Sequence, residues 1–123
     1  MMLEDFLSPV GNSIIESIQA SNSQVIGQSI AIHREIEGIP DLEGMQIAII
    51  GVLEDRGSDN PGSAHSPDQV RKYLYPLYWG NWSFSACDLG NIYAGEKVSD
   101  TLVAVREICS ILLKKRIIPL IIG

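Results

Sequence analysis

Residues 46 to 71 read QIAIIGVLEDRGSDNPGSAHSPDQVR. From Ile47 to Leu53 no residue is polar, which predicts a strand covered on both faces, as in a parallel sheet with helices on each side. The run then breaks into a charged, glycine-containing loop. A helix restarts at Ser66-Pro67-Asp68, with a serine cap, a proline at the first helical position and an acid that favours the helix dipole. Val70, Tyr73, Leu74 and Leu77 fall at i, i+3, i+4 and i+7 and form the expected buried stripe. Arg71 and Lys72 lie off it and read as solvated, and Pro76 ends the regular helix. A strand that empties into a loop at its carboxyl end is where open α/β sheets place ligands.

Before this stretch, residues 2 to 23 read as one or two short helices broken near Pro9-Val10-Gly11, with Ile14, Ile15 and Ile18 on one face. Gln28 to His33 alternates well enough for a short strand. His33, beside Arg34 and Glu35, reads as a surface or satisfied structural histidine. Gly38-Ile39-Pro40-Asp41 is a turn. After the stretch, Gly80-Asn81 turns into a second strand from Ser83 to Leu89. A long helix follows from about Asp100 to Lys115, capped by Ser99. Its core band is Val98, Leu102, Val105, Cys109 and Leu112, widened by Val103, Ala104, Ile108 and Ile111. Lys114, Lys115 and Arg116 close that helix where cations complement the dipole, which explains them without a partner. Ile117 to Gly123 is a third apolar strand, with Pro119 tolerated near its start. The order β-α-β-α-β implies right-handed crossovers and a parallel sheet, with the N-terminal strand at an edge.

Composition narrows the function. The chain has 123 residues, 46% apolar and 20% charged, which fits one globular domain. A net charge of −6 argues against a nucleic-acid partner, because phosphate binding needs clustered Lys and Arg. No run approaches the roughly 20 apolar residues that span a bilayer, and the acidic start Met1 to Asp5 is unlike a signal peptide. A cytoplasmic setting with no membrane partner is expected. Cys87 and Cys109 lack metal or CxxC spacing and read as small core residues.

The loop's chemistry stays open at this level. Its glycines invite an anion cradle, but Gly57 to Gly62 matches neither a P-loop nor GxGxxG, and Glu54, Asp55 and Asp59 would repel phosphate. The acids could instead coordinate a metal, recognise a cation or simply solvate the loop, and composition favours solvation. His65 with Asp59 or Glu54 is the nearest acid/base pair, although His65 precedes the helix cap and reads first as structural. Tyr73, Tyr75, Tyr78, Trp79 and Trp82 read as core or subunit-contact packing.

Three stretches carry a resemblance: Ile50 through Gly57 with Asn60-Pro61-Gly62-Ser63-Ala64 and Ser66-Pro67-Asp68-Gln69-Val70-Arg71; Asp88-Leu89-Gly90-Asn91; and Ile118 through Gly123. In this order they resemble the opening of the ureohydrolase family of arginase, agmatinase and formimidoylglutamase. Leu53, Ser66 and Asn91 depart from that family's usual proline, glycine and aspartate. The resemblance implies a three-layer α-β-α fold with a mainly parallel, arginase-like sheet, truncated after the third core strand. Residues 1–45 would be an N-terminal extension and 46–123 an incomplete α/β domain. It implies a parent enzyme that hydrolyses linear amidine or guanidine C–N bonds of a guanidino or formimino substrate with manganese, acting as a homo-oligomer. The family's metal ligands match no residue of this chain, so these residues alone are expected to be inactive and to hold no manganese. Asp55, Arg56, Asp59 and Asn60 would shape the substrate entrance. The alternative from another class is a non-catalytic α/β interaction module or a degenerate relative.

Overall fold

A computed structural model describes residues 3–19 and 21–123. The parts of the 2–23 helical expectation that fall on Met2 and Ala20 lie outside them. Five strands, β1 (Leu7–Ser8), β2 (Ala31–Ile32), β3 (Ile47–Leu53), β4 (Ala86–Tyr93) and β5 (Ile118–Ile122), form one sheet. Among the described residues four α-helices accompany it: α1 (Asn12–Gln19), α2 (Ile26–Ser29), α3 (Ser66–Leu74) and α4 (Val98–Lys114). The apolar run of the opening stretch is the sheet's centre. β3 pairs in parallel with β4 on one side and with β5 on the other. The far edge of β4 carries β2 in parallel and β1 antiparallel. The protein is therefore mixed α/β with a mostly parallel sheet, and the N-terminal segment supplies two of its strands.

Alternation along β3 divides the core. Ala48 and Ile50 join Cys87, Leu89, Ala104, Ile108 and Leu112 under α4. Ile49 joins Ile14, Ile15, Ile18, Ile32 and Tyr75 on the opposite face, under α1 and α3. The chain crosses from β3 to β4 through α3 and returns past β3 to β5 through α4. With crossovers of one hand, that reversal puts the two helices on opposite faces.

Several boundaries differ from the sequence reading. The alternation expected from Gln28 to His33 holds a strand only at Ala31–Ile32, because α2 occupies Ile26–Ser29. β1, a two-residue strand, falls where short helices were expected. The second core strand starts at Ala86 and runs to Tyr93. Ser66 lies inside α3, continuing a 3-10 turn over Ser63–His65, and makes no cap hydrogen bond. At α4 the cap is supplied by Asp100, whose carboxylate accepts from the Lys97 amide at 3.1 Å.

The buried face of α3 is rotated from its expected position, while α4 buries Ala104, Ile108 and Leu112 of the expected band. On α3 the buried side chains are Pro67 and Arg71, with Tyr75 just beyond its end, while Val70, Tyr73 and Leu77 are exposed. On α4 burial centres on Thr101, Ala104, Ile108 and Leu112, and Leu102 is 62% exposed. In each case one polar side chain, Arg71 or Thr101, has a partner across the sheet edge that draws it inward.

Candidate functional site at the carboxyl end of the central strand

The site rests on a buried polar anchor. Arg71 and Asp88 are both 0% exposed. Arg71 donates from Nε to Asp88 Oδ2 at 2.8 Å and from Nη2 to Asp88 Oδ1 at 2.9 Å, a bidentate pair. Nη2 also reaches the Gly90 carbonyl at 2.9 Å, and Nη1 reaches Asn91 Oδ1 at 2.7 Å and Asp68 Oδ1 at 3.4 Å. The guanidinium has five N–H donors and each has an acceptor, which is the condition for burying it. Asp88 accepts in addition from the Tyr75 hydroxyl at 2.5 Å and the Gly90 amide at 3.0 Å. Burial works against the Arg71 charge, but the hydrogen bonds and charge of Asp88 outweigh it, so its pKa is raised. Burial first, then the adjacent Asp88 charge, raises that of Tyr75.

Local backbone geometry makes room for this anchor. Between Ile49↔Asp88 and Gly51↔Asn91 the register advances two residues on β3 and three on β4, so β4 carries a bulge. Gly90, at φ 91°, sits in it, and a side chain there would run into the Ser8 carbonyl and His33 Nδ1. Opposite, Gly51 lacks a Cβ where one would meet Asn91 Oδ1 and the Pro67 ring. His33 is buried, with Nδ1 2.9 Å from the Leu89 carbonyl. It is the satisfied structural histidine expected from its context.

Above the anchor, the loops after β3 and β4 are tied together. Arg56 donates to Glu54 from Nε at 2.9 Å and from Nη2 at 2.7 Å, and reaches the Glu96 and Gly95 carbonyls at 2.8 and 2.5 Å. Thr101 of α4 donates to Glu54 Oε1 at 2.9 Å and accepts from the Gly95 amide at 2.8 Å. The hydrogen bond from Arg56 is the main cause that lowers the Glu54 pKa to about 2. Asp55 Oδ2 accepts from the Gly62 amide at 3.0 Å and closes the loop on itself.

The four entrance candidates thus separate. Asp55 and Arg56 are held within the loop system. Asp59 and Asn60 are exposed, and among the described residues their side chains accept and donate no hydrogen bond. No hydrogen bond joins His65 to Asp59 or Glu54, so the acid/base pair considered from sequence is not assembled. Thr101 holds the loop through Glu54 and was not singled out, since 47 residues separate the two. A hollow of about 680 Å³ lies at the opposite end of the strands, among Leu3, Glu4, Ile39 to Gly44 and Lys115.

Comparison with family models, with curated proteins and with solved structures returned no match. Among the described residues no group of three His, Cys, Asp or Glu is placed to hold a metal. Two of the acids near the loop already have partners: Glu54 is taken by Arg56 and Thr101, and Asp88 by Arg71, Tyr75 and Gly90. Among the described residues, no helix is long and apolar enough to cross a membrane.

Proposed function

We propose that these residues form the N-terminal, arginase-like part of a ureohydrolase-like enzyme that hydrolyses linear amidine or guanidine C–N bonds, and that they supply its substrate-entrance wall. The observation that carries the reading is the reversal of winding at β3. With β4 on one side and β5 on the other, the crevice outside the carboxyl end of β3 is the ligand position of an open α/β sheet, and the loop from Glu54 to Gly62 borders it. The motif pair that resembles the family gives further support, because Ser66 to Arg71 and Asp88 to Asn91 meet through the Arg71–Asp88 pair.

On this reading Asp59 and Asn60 attract and orient a cationic guanidino or formimino group as it enters. Glu54, Arg56 and Thr101 keep the loop in place. Any manganese would be held by other residues of the enzyme, in a cytoplasmic homo-oligomer. The Michaelis parameters of Asp59→Ala and Asn60→Ala in the intact enzyme test the assignment. KM should rise with kcat nearly unchanged, and unchanged kinetics would remove both residues from the wall.

One observation favours a second reading, a non-catalytic interaction module. The loop's acids Glu54 and Asp55 are spent on internal hydrogen bonds, as in a loop built for shape. Absence of hydrolysis by the protein as its gene encodes it, with the fold intact, would select this reading.

A further inference from the structure

We propose that Glu54, together with the Gly95 and Glu96 carbonyls, forms a binding site for an alkylguanidinium cation, and that Arg56 occupies it from within the chain. Four hydrogen bonds hold the Arg56 guanidinium there. Nε and Nη2 donate to the two Glu54 carboxylate oxygens at 2.9 and 2.7 Å, Nη1 donates to the Glu96 carbonyl at 2.8 Å, and Nη2 also reaches the Gly95 carbonyl at 2.5 Å. A planar fork of N–H donors fits a carboxylate flanked by carbonyls, whereas an ammonium, a compact point charge, does not span them. The charges of Asp55 and Asp100 add to that of Glu54 around Arg56, so the surroundings favour a cation.

The acceptors are held in place by groups other than the Arg56 side chain. Glu54 Oε1 accepts from the Thr101 hydroxyl at 2.9 Å and Oε2 from the Arg56 backbone amide at 3.0 Å, so each carboxylate oxygen keeps a donor when the guanidinium is gone. The two carbonyls belong to a turn fixed on the start of α4. There the Gly95 amide donates to Thr101 Oγ1 at 2.8 Å, the Lys97 amide donates to Asp100 Oδ2 at 3.1 Å, and a Cβ on Gly95 would lie 2.7 Å from Asp100 Cβ. A site organised before its ligand arrives binds without an ordering cost. The occupant is less confined: the Glu54 side chain is 10% exposed and that of Arg56 42%, so the walls are shielded while the group that fills them borders solvent. A tethered group competes at an effective concentration of about millimolar. Arg56 therefore outcompetes a dilute free guanidine and acts as a built-in inhibitor of the site. That the natural ligand is the guanidino substrate of a hydrolase rests on the function proposed above; the site itself does not.

Arg56→Ala removes the occupant and should lower the thermal midpoint at neutral pH. Ethylguanidinium, the part of the side chain that is lost, should then raise the midpoint saturably, as a ligand of the folded state does. Calorimetric titration should find one site per chain, about tenfold or more weaker in the unsubstituted protein, where Arg56 competes. Adding Glu54→Gln to Arg56→Ala should weaken binding by about tenfold or more, because the charged acceptor is gone. Ethylammonium at the same concentration carries the charge without the fork and should leave the midpoint where it is. Arg56→Gln, which lacks the cation, takes the same titration should Arg56→Ala not fold. No saturable binding by either variant, an equal response to ethylammonium, or binding that survives Glu54→Gln would overturn the proposal. Hydrolysis is no part of this readout, so failure of the site and failure of the hydrolase reading are separately visible.

Discussion

The Arg71 guanidinium lies flat against the Asp88 carboxylate, Nε to Oδ2 at 2.8 Å and Nη2 to Oδ1 at 2.9 Å, with both side chains shut off from water. This pair joins α3 to β4 beneath the candidate site. Arg71→Met leaves Asp88 buried without its counter-charge and should cost about 3–5 kcal/mol, the usual penalty for breaking a buried pair. Chemical denaturation measures it. The double variant Arg71→Met with Asp88→Leu should be less destabilised than Arg71→Met alone, because it removes the orphaned charge.

Gly51 is an independent probe of the same packing. Its added Cβ would fall 2.7 Å from Pro67 Cβ and closer still to Asn91 Oδ1. Gly51→Ala should therefore destabilise by about 1–3 kcal/mol, as overpacking does, and lower the thermal midpoint. A neutral effect would mean that α3 is not pressed against β3.

Acid should loosen the loop system through Glu54. Its carboxyl is lowered from 4.5 to about 2 in the fold, so its contribution is complete above pH 4.5 and is lost as pH falls toward 2. The thermal midpoint of Glu54→Gln should lie below that of the parent above pH 4.5. The gap should narrow below that pH. A gap independent of pH would disconnect the carboxylate charge from the loop.

The two thiols should react differently. Burial, and then the Asp88 charge, push the Cys87 thiol up to about 12, and its side chain has no access to solvent. Cys109 is half-buried on α4, and burial raises its thiol too. Mass spectrometry after brief alkylation of the folded protein should find Cys109 modified and Cys87 intact, with both modified in denaturant.

Sequence made the sheet legible more readily than the site. Ile47 to Leu53 announced a strand buried on both faces because continuous apolar runs have few other uses. The α3 face was misplaced because periodicity treats Arg71 as an outward residue, whereas it is drawn inward by Asp88, an acid on another element. A trace of the anchor was present in Asp88 and Asn91, two polar residues in an otherwise apolar strand, which demand a buried donor. Nothing local announced that Glu54 and Arg56 would bind α4 and its leading loop. Those contacts exist only once α4 has crossed to the far face of the sheet.

The most direct measurement of the functional reading is hydrolysis by the protein as its gene encodes it, supplied with manganese and offered arginine, agmatine and formimidoylglutamate. Release of urea, formamide or ammonia from one of the three, with KM raised by Asp59→Ala, is the result we expect. A folded, manganese-supplemented protein that hydrolyses none of them would contradict the enzyme reading and leave the interaction module in its place.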